Sequence, residues 1–273
     1  MQDKIKGIVG ELGWPLLFLT MMGYLAWYLP HLIIAFGGAD ANGAIVHDYR
    51  SANIGDYLVV LVLAVALVMG VRTATTSAIE DDIDGFFDRV SVFFGRVTAL
   101  LISILVFVML FEVVLRYIFE KPTLWANELS LWMAGFIFLL AGLYAMQQRS
   151  HIRIFLLYDL FPRPLQKLAD TVSVVLIWAF TVAMIWGAYN EAKAKLLRWE
   201  TFGTAFDPPI PATLKSMVLI VITLVAIQAL SNLIADWSKA PQHHSPVDED
   251  EIAELKHELE EQLHLNKDDE AKV

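Results

Sequence analysis

Six long apolar stretches dominate the sequence and limit what the chain can fold into. A helix needs about 20 consecutive, largely apolar residues to cross the hydrocarbon core of a bilayer. The composition agrees with such crossings, because 57% of the 273 residues are hydrophobic and 18% are charged, compared with about 25% charged residues in soluble domains. We therefore predict an all-α, polytopic membrane protein. Its transmembrane helices, about six in number, are expected at about 14–36, 54–71, 94–118, 125–147, 169–190 and 214–236.

Composition and motifs argue against several functional classes. The sequence has no cysteine, which excludes disulfides, thiolate nucleophiles and cysteine-ligated clusters. The net charge of −10 is concentrated in residues 81–88 and in the tail from Asp248, so nothing favours nucleic-acid binding. No glycine-rich phosphate loop, nucleophile motif or spaced ligand set is present. His31 is the one histidine within a predicted span, whereas a haem-binding bundle needs pairs. We expect no enzyme activity, no cofactor and no metal site.

The apolar stretches and the charged segments between them predict four regions. Residues 1–75 form an N-terminal extension with two transmembrane helices, and residues 94–237 form a four-helix core. Residues 76–93 are expected to form an interfacial amphipathic helix, because apolar side chains recur opposite carboxylates at helical spacing. Residues 238–273 form an acidic cytoplasmic tail, in which apolar residues at helical spacing predict a short soluble helix. The interfacial helix has Ile79, Ile83, Phe86, Phe87 and Val90 on one side and Glu80, Asp81, Asp82, Asp84 and Asp88 on the other.

A second interfacial amphipathic helix is predicted at 151–167. Its apolar run lies between Arg153 and Arg163, which is typical of a helix on the membrane surface. Pro162 and Pro164 should prevent this helix from continuing straight into the next span, so we expect the chain to turn there.

The distribution of lysine and arginine predicts the orientation in the membrane. Basic residues accumulate on the cytoplasmic side near helix ends, and 13 of the 20 basic residues lie on inner segments if both termini are cytoplasmic. Residues 37–53, 119–124 and 191–213 then face outward, although 191–213 is itself basic. A signal peptide cleaved after Ala41 is the alternative for the N-terminus, but an apolar region that runs to Phe36 is much longer than the 7–15 residues of a signal-peptide core.

Glu112 is the one acidic residue deep within a predicted span. A charge at that depth is costly, which makes Glu112 a functional candidate by default. Arg116 follows four residues later on the same helical face, in the order that favours an ion pair. A structural pair near the membrane boundary is therefore the alternative to contact with a moving ion or partner. Glu128 lies in the first turn of the next helix, three residues after Trp125, where the helix dipole favours a carboxylate.

Small residues and tryptophans indicate where spans meet their surroundings. Ala179, Ala183 and Gly187 recur at every fourth position, a spacing that lets another helix approach closely. Autonomous transporters usually show several intramembrane ionisable residues and related halves, which this sequence lacks, so the residues predict a scaffold or subunit. Of the tryptophans, Trp14, Trp125, Trp199 and Trp237 are expected to anchor span ends, and Trp27, Trp132, Trp178 and Trp186 to face a partner or lipid.

Over about 94–236 the sequence resembles the small membrane subunit, the DctQ or Q type, of tripartite ATP-independent periplasmic (TRAP) transporters. The resemblance rests on motifs in a fixed order rather than on any single one. The sequence departs from the family pattern at Asn127, Ala141 and Phe155. The motifs are Arg116-Tyr117 at a helix end, Trp125, Glu128 and Leu129 at the next helix start, FIFLLAGLYAMQQRSHIRI with His151 and Arg153, and AFDPPIPATLKSM with Lys215 before a helix that contains Gln228.

The resemblance implies a scaffold subunit in the bacterial inner membrane, in contact with membrane lipid. It implies a large permease subunit that carries substrate and sodium, and a periplasmic binding protein that supplies an organic acid or related solute. Two alternatives stay open: a membrane-anchor subunit of a redox enzyme complex, and a stand-alone channel. The residues expected to contact the partner or to support the fold are Glu112, Arg116, Trp125, Glu128, His151, Arg153, Ala179, Ala183, Gly187, Lys215 and Gln228.

Overall fold

The computed structural model describes residues 2–42, 49–76, 80, 83, 85–149 and 161–238, with the side chains of the first helix described from Glu11 to Phe36. This part of the chain is helical and contains no strand. Each helix includes a stretch long and apolar enough to cross a membrane, which confirms the predicted all-α, six-span fold. The helices are α1 (Gln2–Asn42), α2 (Ile54–Thr73), α3 (Phe86–Tyr117), α4 (Ala126–Gln147), α5 (Arg163–Arg198) and α6 (Ile210–Asp236).

Local capping explains where several helices begin. At the start of α2, Asn53 Oδ1 accepts from the Asp56 N–H at 3.1 Å, and Asp56 Oδ2 accepts from the Asn53 N–H at 2.8 Å. This reciprocal arrangement is a capping box, which satisfies two backbone donors that the helix leaves unpaired. At the start of α3, the Gly85 N–H donates to Asp88 Oδ2 at 3.0 Å. Pro162 precedes α5, in agreement with the predicted break between that helix and the preceding segment.

One apolar core connects the C-terminal four helices to the N-terminal pair. Packing pairs α3 with α4, α5 with α6 and α4 with α6, while α1 and α2 contact each other and α3. Phe93, Leu143 and Val221 are almost fully buried in the same cluster as Phe18 of α1. The Phe18 and Phe93 rings meet edge to face with centroids 5.3 Å apart, a favoured geometry for aromatic pairs. The N-terminal extension therefore shares the core of the four-helix part.

Two glycines permit close approach at helix crossings. A Cβ atom on Gly70 of α2 would lie 2.2 Å from the Phe93 ring, and one on Gly95 of α3 would lie 2.5 Å from the Tyr144 ring. A glycine inside a helix costs about 1 kcal/mol relative to alanine. The rings that occupy the space of the missing side chains provide the compensating contacts.

The predicted separate helix at 76–93 is wrong for its second half. α3 begins at Phe86 and continues without interruption to Tyr117, so residues 86–93 are the first turns of a membrane-length helix. Nothing in this stretch interrupts a helix, because it contains neither proline nor glycine. The part of the prediction at residues 77–79, 81, 82 and 84 lies outside the described residues.

The predicted polar side of that segment is wrong at Asp88, which was expected on the polar surface. Asp88 is buried, whereas Phe86 and Phe87 are exposed. The Asp88 carboxylate accepts hydrogen bonds from the Gly85 N–H and from the Gln228 side chain of α6. These bonds offset the hydration that a buried carboxylate loses, and they leave the phenylalanine rings on the outer surface, where a bilayer accepts them.

The first part of the predicted outer segment at 191–213 is helical, because α5 continues to Arg198. The sequence from 191 to 198, EAKAKLLR, consists of strong helix formers. Lys195 and Arg198 lie in the last turn, where cations are favoured by the helix dipole. The connection to α6 is therefore limited to residues 199–209.

Several tryptophans do not lie where the sequence placed them. Trp199, expected as an interface anchor, is buried, and so is Trp132, expected to face a partner or lipid. The Trp132 indole N–H donates to the Thr213 hydroxyl at 2.8 Å, and its ring meets Trp27 edge to face. Trp186 is 87% exposed, as expected for a side chain that faces a partner or lipid.

Two predicted segments fall mainly beyond what the structure describes. Residues 151–160 of the second interfacial helix and residues 239–273 of the tail lie outside the described residues. Residues 163–167, which were assigned to that interfacial helix, are instead the first residues of α5, because Pro162 separates them from the preceding chain.

Candidate partner-binding site and its polar supports

Glu112 joins the C-terminal end of α3 to the turn that follows it. Arg116 donates to Glu112 Oε1 from Nη2 at 2.6 Å and from Nε at 3.2 Å, so the predicted pair is present. Glu112 Oε2 accepts from the Thr123 hydroxyl at 2.5 Å and from the Thr123 N–H at 3.1 Å. Glu112 is buried, whereas the Arg116 side chain is 49% exposed. Both carboxylate oxygens are occupied by protein donors, which favours the structural interpretation of this residue.

Trp125 and Glu128 connect the start of α4 to neighbouring segments. Trp125 directly precedes α4, and its ring lies 6.3 Å from the Phe111 ring of α3, centroid to centroid. Glu128 lies in the first turn of α4, as predicted. Its Oε2 accepts a hydrogen bond from the Thr204 hydroxyl at 2.5 Å. Glu128 therefore holds the 199–209 connection against α4, a contact that the sequence did not predict.

Gln228 is the centre of a buried cluster at the other end of α3. Its Nε2 donates to Asp88 Oδ1 at 2.6 Å and to Asn232 Oδ1 at 2.8 Å, and its Oε1 accepts from the Ser91 hydroxyl at 2.9 Å. Asn232 Nδ2 in turn donates to the Met146 carbonyl of α4 at 2.6 Å. A buried amide whose groups are bonded in this way rigidifies the packing of the helices that it joins, here α3, α4 and α6.

Lys215 forms an ion pair with Glu191, which links α6 to α5. Lys195 and Glu200 form a second ion pair near the end of α5. Both partners of the first pair are exposed, so we assign it little stabilising effect. Glu191 and Glu200 therefore neutralise part of the positive charge of the 191–213 segment, which is unusually basic for a region predicted to face outward.

The structure contains a polar cluster in the N-terminal extension that the sequence analysis did not predict. Asp56 of α2 is 1% exposed. Its Oδ1 accepts from the Tyr24 hydroxyl at 2.8 Å and lies 3.2 Å from His31 Nδ1. Its Oδ2 accepts from Arg50 Nη1 at 2.8 Å. The Asn53-x-x-Asp56 capping pattern could have been recognised, but the convergence of Tyr24 and His31 depends on α1 lying beside α2.

α5 is the most exposed of the six helices. Only 6% of the residues in its most apolar stretch are buried, compared with 22% to 33% in the other five. Ala179, Ala183 and Gly187 are all exposed, and no atom lies within 4 Å of the position that a Gly187 Cβ would occupy. We call this surface the α5 open face. It comprises Val172, Val175, Leu176, Ala179, Phe180, Ala183, Trp186 and Gly187.

Two of the predicted site residues cannot be placed in these contacts. His151 and Arg153 lie outside the described residues. Among the residues that the structure does describe, no group of three or more histidine, aspartate or glutamate side chains could hold a metal ion. The polar residues described above thus lie in separate contacts between helices or between a helix and a connection. None of them belongs to the α5 open face.

Six membrane-length helices define this chain as a polytopic helical membrane protein whose described polar clusters join its own helices. Residues 105–239 match the family model of the DctQ component of tripartite ATP-independent periplasmic transporters. This segment, just under half of the chain, runs from within α3 to just beyond α6. The match over this segment and the curated relative support a DctQ-type TRAP subunit, and the DctQ family is a transporter component and not an enzyme.

A curated relative agrees with this family. The C4-dicarboxylate TRAP transporter small permease protein DctQ of Vibrio cholerae is 29% identical over 79 residues, which are 29% of this chain and 34% of the relative. The match thus spans about a third of the length of that relative. No solved structure matches the chain. Neither comparison supports the alternative of a redox membrane anchor.

Proposed function

We propose that this chain is the static membrane scaffold of a sodium-driven TRAP transporter that imports an organic acid or related solute. A large permease subunit would carry substrate and sodium, and a periplasmic binding protein would supply the substrate. The match of residues 105–239 to the DctQ family supports this role, as does the name of the Vibrio cholerae relative, which refers to C4-dicarboxylates. The α5 open face is the observation that carries the scaffold assignment.

The shape of the α5 open face suits a neighbouring helix. Ala183 and Gly187 present almost no side chain, so another backbone can approach closely, and association of helices in lipid depends on such contacts. Phe180 and Trp186 are exposed beside this stripe and can pack along the sides of a docked helix. The large permease subunit is the partner that we assign to this surface.

The polar residues within the spans support a scaffold rather than a carrier. A solute that leaves water needs several convergent polar groups to replace its hydration. The two most buried carboxylates within the described helices, those of Asp56 and Glu112, already bind protein donors with both oxygens. Neither is therefore well placed to bind a passing ion.

Reconstitution tests this proposal directly. The chain alone in liposomes under a sodium gradient should give no uptake of an organic anion and no current. Co-expressed large subunit should co-purify with it, and addition of the binding protein should give sodium-dependent uptake. Saturable uptake or ion current by the chain alone, or full transport by the large subunit without it, would contradict the scaffold role.

We also propose that the chain lies in the bacterial inner membrane with both termini in the cytoplasm. The chain has no native cysteine, so single cysteines can report its orientation. Cysteines at Gly43, Thr123 and Thr204 should react with a membrane-impermeant thiol reagent in intact cells with a permeabilised outer membrane, and one at Ser245 should not. Lysed cells provide the control for reactivity at Ser245. Labelling at Ser245 with none at Thr123 in intact cells would reverse the orientation.

A further inference from the structure

A cleft of about 100 Å³ lies where the first turns of α5 meet the C-terminal ends of α4 and α6. Its polar rim has three cationic side chains, Arg149, Arg163 and Lys167, and two carboxylates, Asp170 and Asp236. Among the described residues that line the cleft, the rim therefore carries one more formal positive charge than negative charge. All five residues lie at one end of the helix bundle, near the ends of the apolar stretches of α4, α5 and α6.

The cations of the rim differ in how they are bonded. Arg149 donates from Nε and Nη2 to the two carboxylate oxygens of Asp236, at 2.6 and 2.8 Å. Arg163 donates from Nη2 to the Asp236 carbonyl at 3.0 Å. The Lys167 ammonium lies 5.1 Å from the centre of the Trp237 ring and forms no ion pair with any residue that the structure describes. Lys167 is thus a cation of the rim for which the described residues show no carboxylate partner.

The inner wall of the cleft is apolar. Val174 and Ile177 of α5 continue below Lys167 at helical spacing, and Leu233 of α6 lies opposite them. Trp237, which is 50% exposed, stands at the mouth, a position typical of tryptophans at the membrane interface. The cleft is therefore cationic at headgroup depth and apolar toward the bilayer.

We propose that this cleft binds an anionic phospholipid, with the phosphate beside Lys167 and an acyl chain along Ile177 and Leu233. The Lys167 ammonium attracts the phosphate, as in basic pockets between transmembrane helices that hold lipid headgroups. A soluble anion would use the charge but gain nothing from the apolar wall. The site lies away from the α5 open face and does not rest on the proposed transport role. It would fix the depth of α5 in the bilayer.

Native mass spectrometry of the full chain in mild detergent tests the proposal, with phosphatidylglycerol and phosphatidylcholine of identical acyl chains as probes. Phosphatidylglycerol should bind more tightly. Lys167→Gln should weaken its binding about fivefold, the factor expected for one basic residue near an anionic lipid surface, and should leave phosphatidylcholine unchanged. Lys167→Arg should retain the preference. Lys193→Gln, an exposed lysine at the other end of α5, is the matched control and should have no effect.

Ile177→Gln tests the apolar wall independently of the charge, and it should also weaken phosphatidylglycerol binding. Glycerol 3-phosphate, the soluble part of the headgroup, should not displace the lipid at equal concentration. Unchanged binding in both Lys167→Gln and Ile177→Gln would overturn the proposal, as would an equal loss in Lys193→Gln. Displacement by glycerol 3-phosphate would assign the site to a soluble anion instead of a lipid.

Discussion

Glu112→Ala should lower the melting temperature of the purified protein by roughly 5–10 °C. Removing one partner of a buried ion pair lowers the free energy of unfolding. The loss is smaller here than for a fully buried pair, because Arg116 is half exposed. The substitution leaves the guanidinium of Arg116 and the N–H and hydroxyl of Thr123 without their acceptor. Arg116→Ala should do less harm, because Thr123 still binds the carboxylate. Thermal unfolding of the full chain in detergent measures both effects.

The double variant Glu112→Ala with Arg116→Ala should be less destabilised than the sum of the two single variants, because residues in contact are not additive. Glu120→Ala is the control, since it removes an exposed carboxylate from the adjacent turn and should change the melting temperature little. Strict additivity would mean that the pair does not interact. A loss for Arg116→Ala larger than that for Glu112→Ala would contradict the role of Thr123.

Ala183→Leu combined with Gly187→Leu should separate the large permease subunit from this chain. Both positions are exposed on the α5 open face, and leucine side chains would keep a docked helix from close approach. Overpacking of this kind costs about 1–3 kcal/mol, which corresponds to roughly 5- to 150-fold weaker association. Co-purification of the large subunit with the tagged chain, together with sodium-dependent uptake, gives the measurement.

Gly23→Leu combined with Ala64→Leu is the matched control for this experiment. Both residues are exposed in the N-terminal extension, and a Cβ atom on Gly23 would have no neighbour within 4 Å. This variant adds the same two side chains outside the segment that matches the DctQ family. The α5 variant should still insert and melt like the wild type. Undiminished co-purification of the α5 variant, or an equal loss in the control, would place the interface elsewhere.

The sequence alone predicted the number of membrane-length helices, because the length and hydrophobicity of a span are local properties that a bilayer requires of each segment separately. It also predicted the Glu112–Arg116 pair, since two residues four apart on a helix are neighbours whatever the rest of the chain does. The order of motifs from Arg116 to Gln228 was sufficient to indicate the family. Helix boundaries were less well predicted: Phe86 and Arg198 extend spans beyond their apolar stretches, because helix formation continues until a cap or a breaker intervenes.

Only the tertiary structure decided which polar residues meet. Gln228 reaches Asp88 and Asp56 meets His31 only when helices distant in the chain lie side by side, and periodicity within one helix contains no information about its neighbours. For the same reason the sequence placed Asp88 on the polar surface and Trp199 at the membrane interface, although both are buried. Burial of a polar or amphipathic side chain depends on whether another element supplies its hydrogen bonds and contacts. Whether those hydrogen bonds and contacts are available depends on how the helices pack together and not on any single segment.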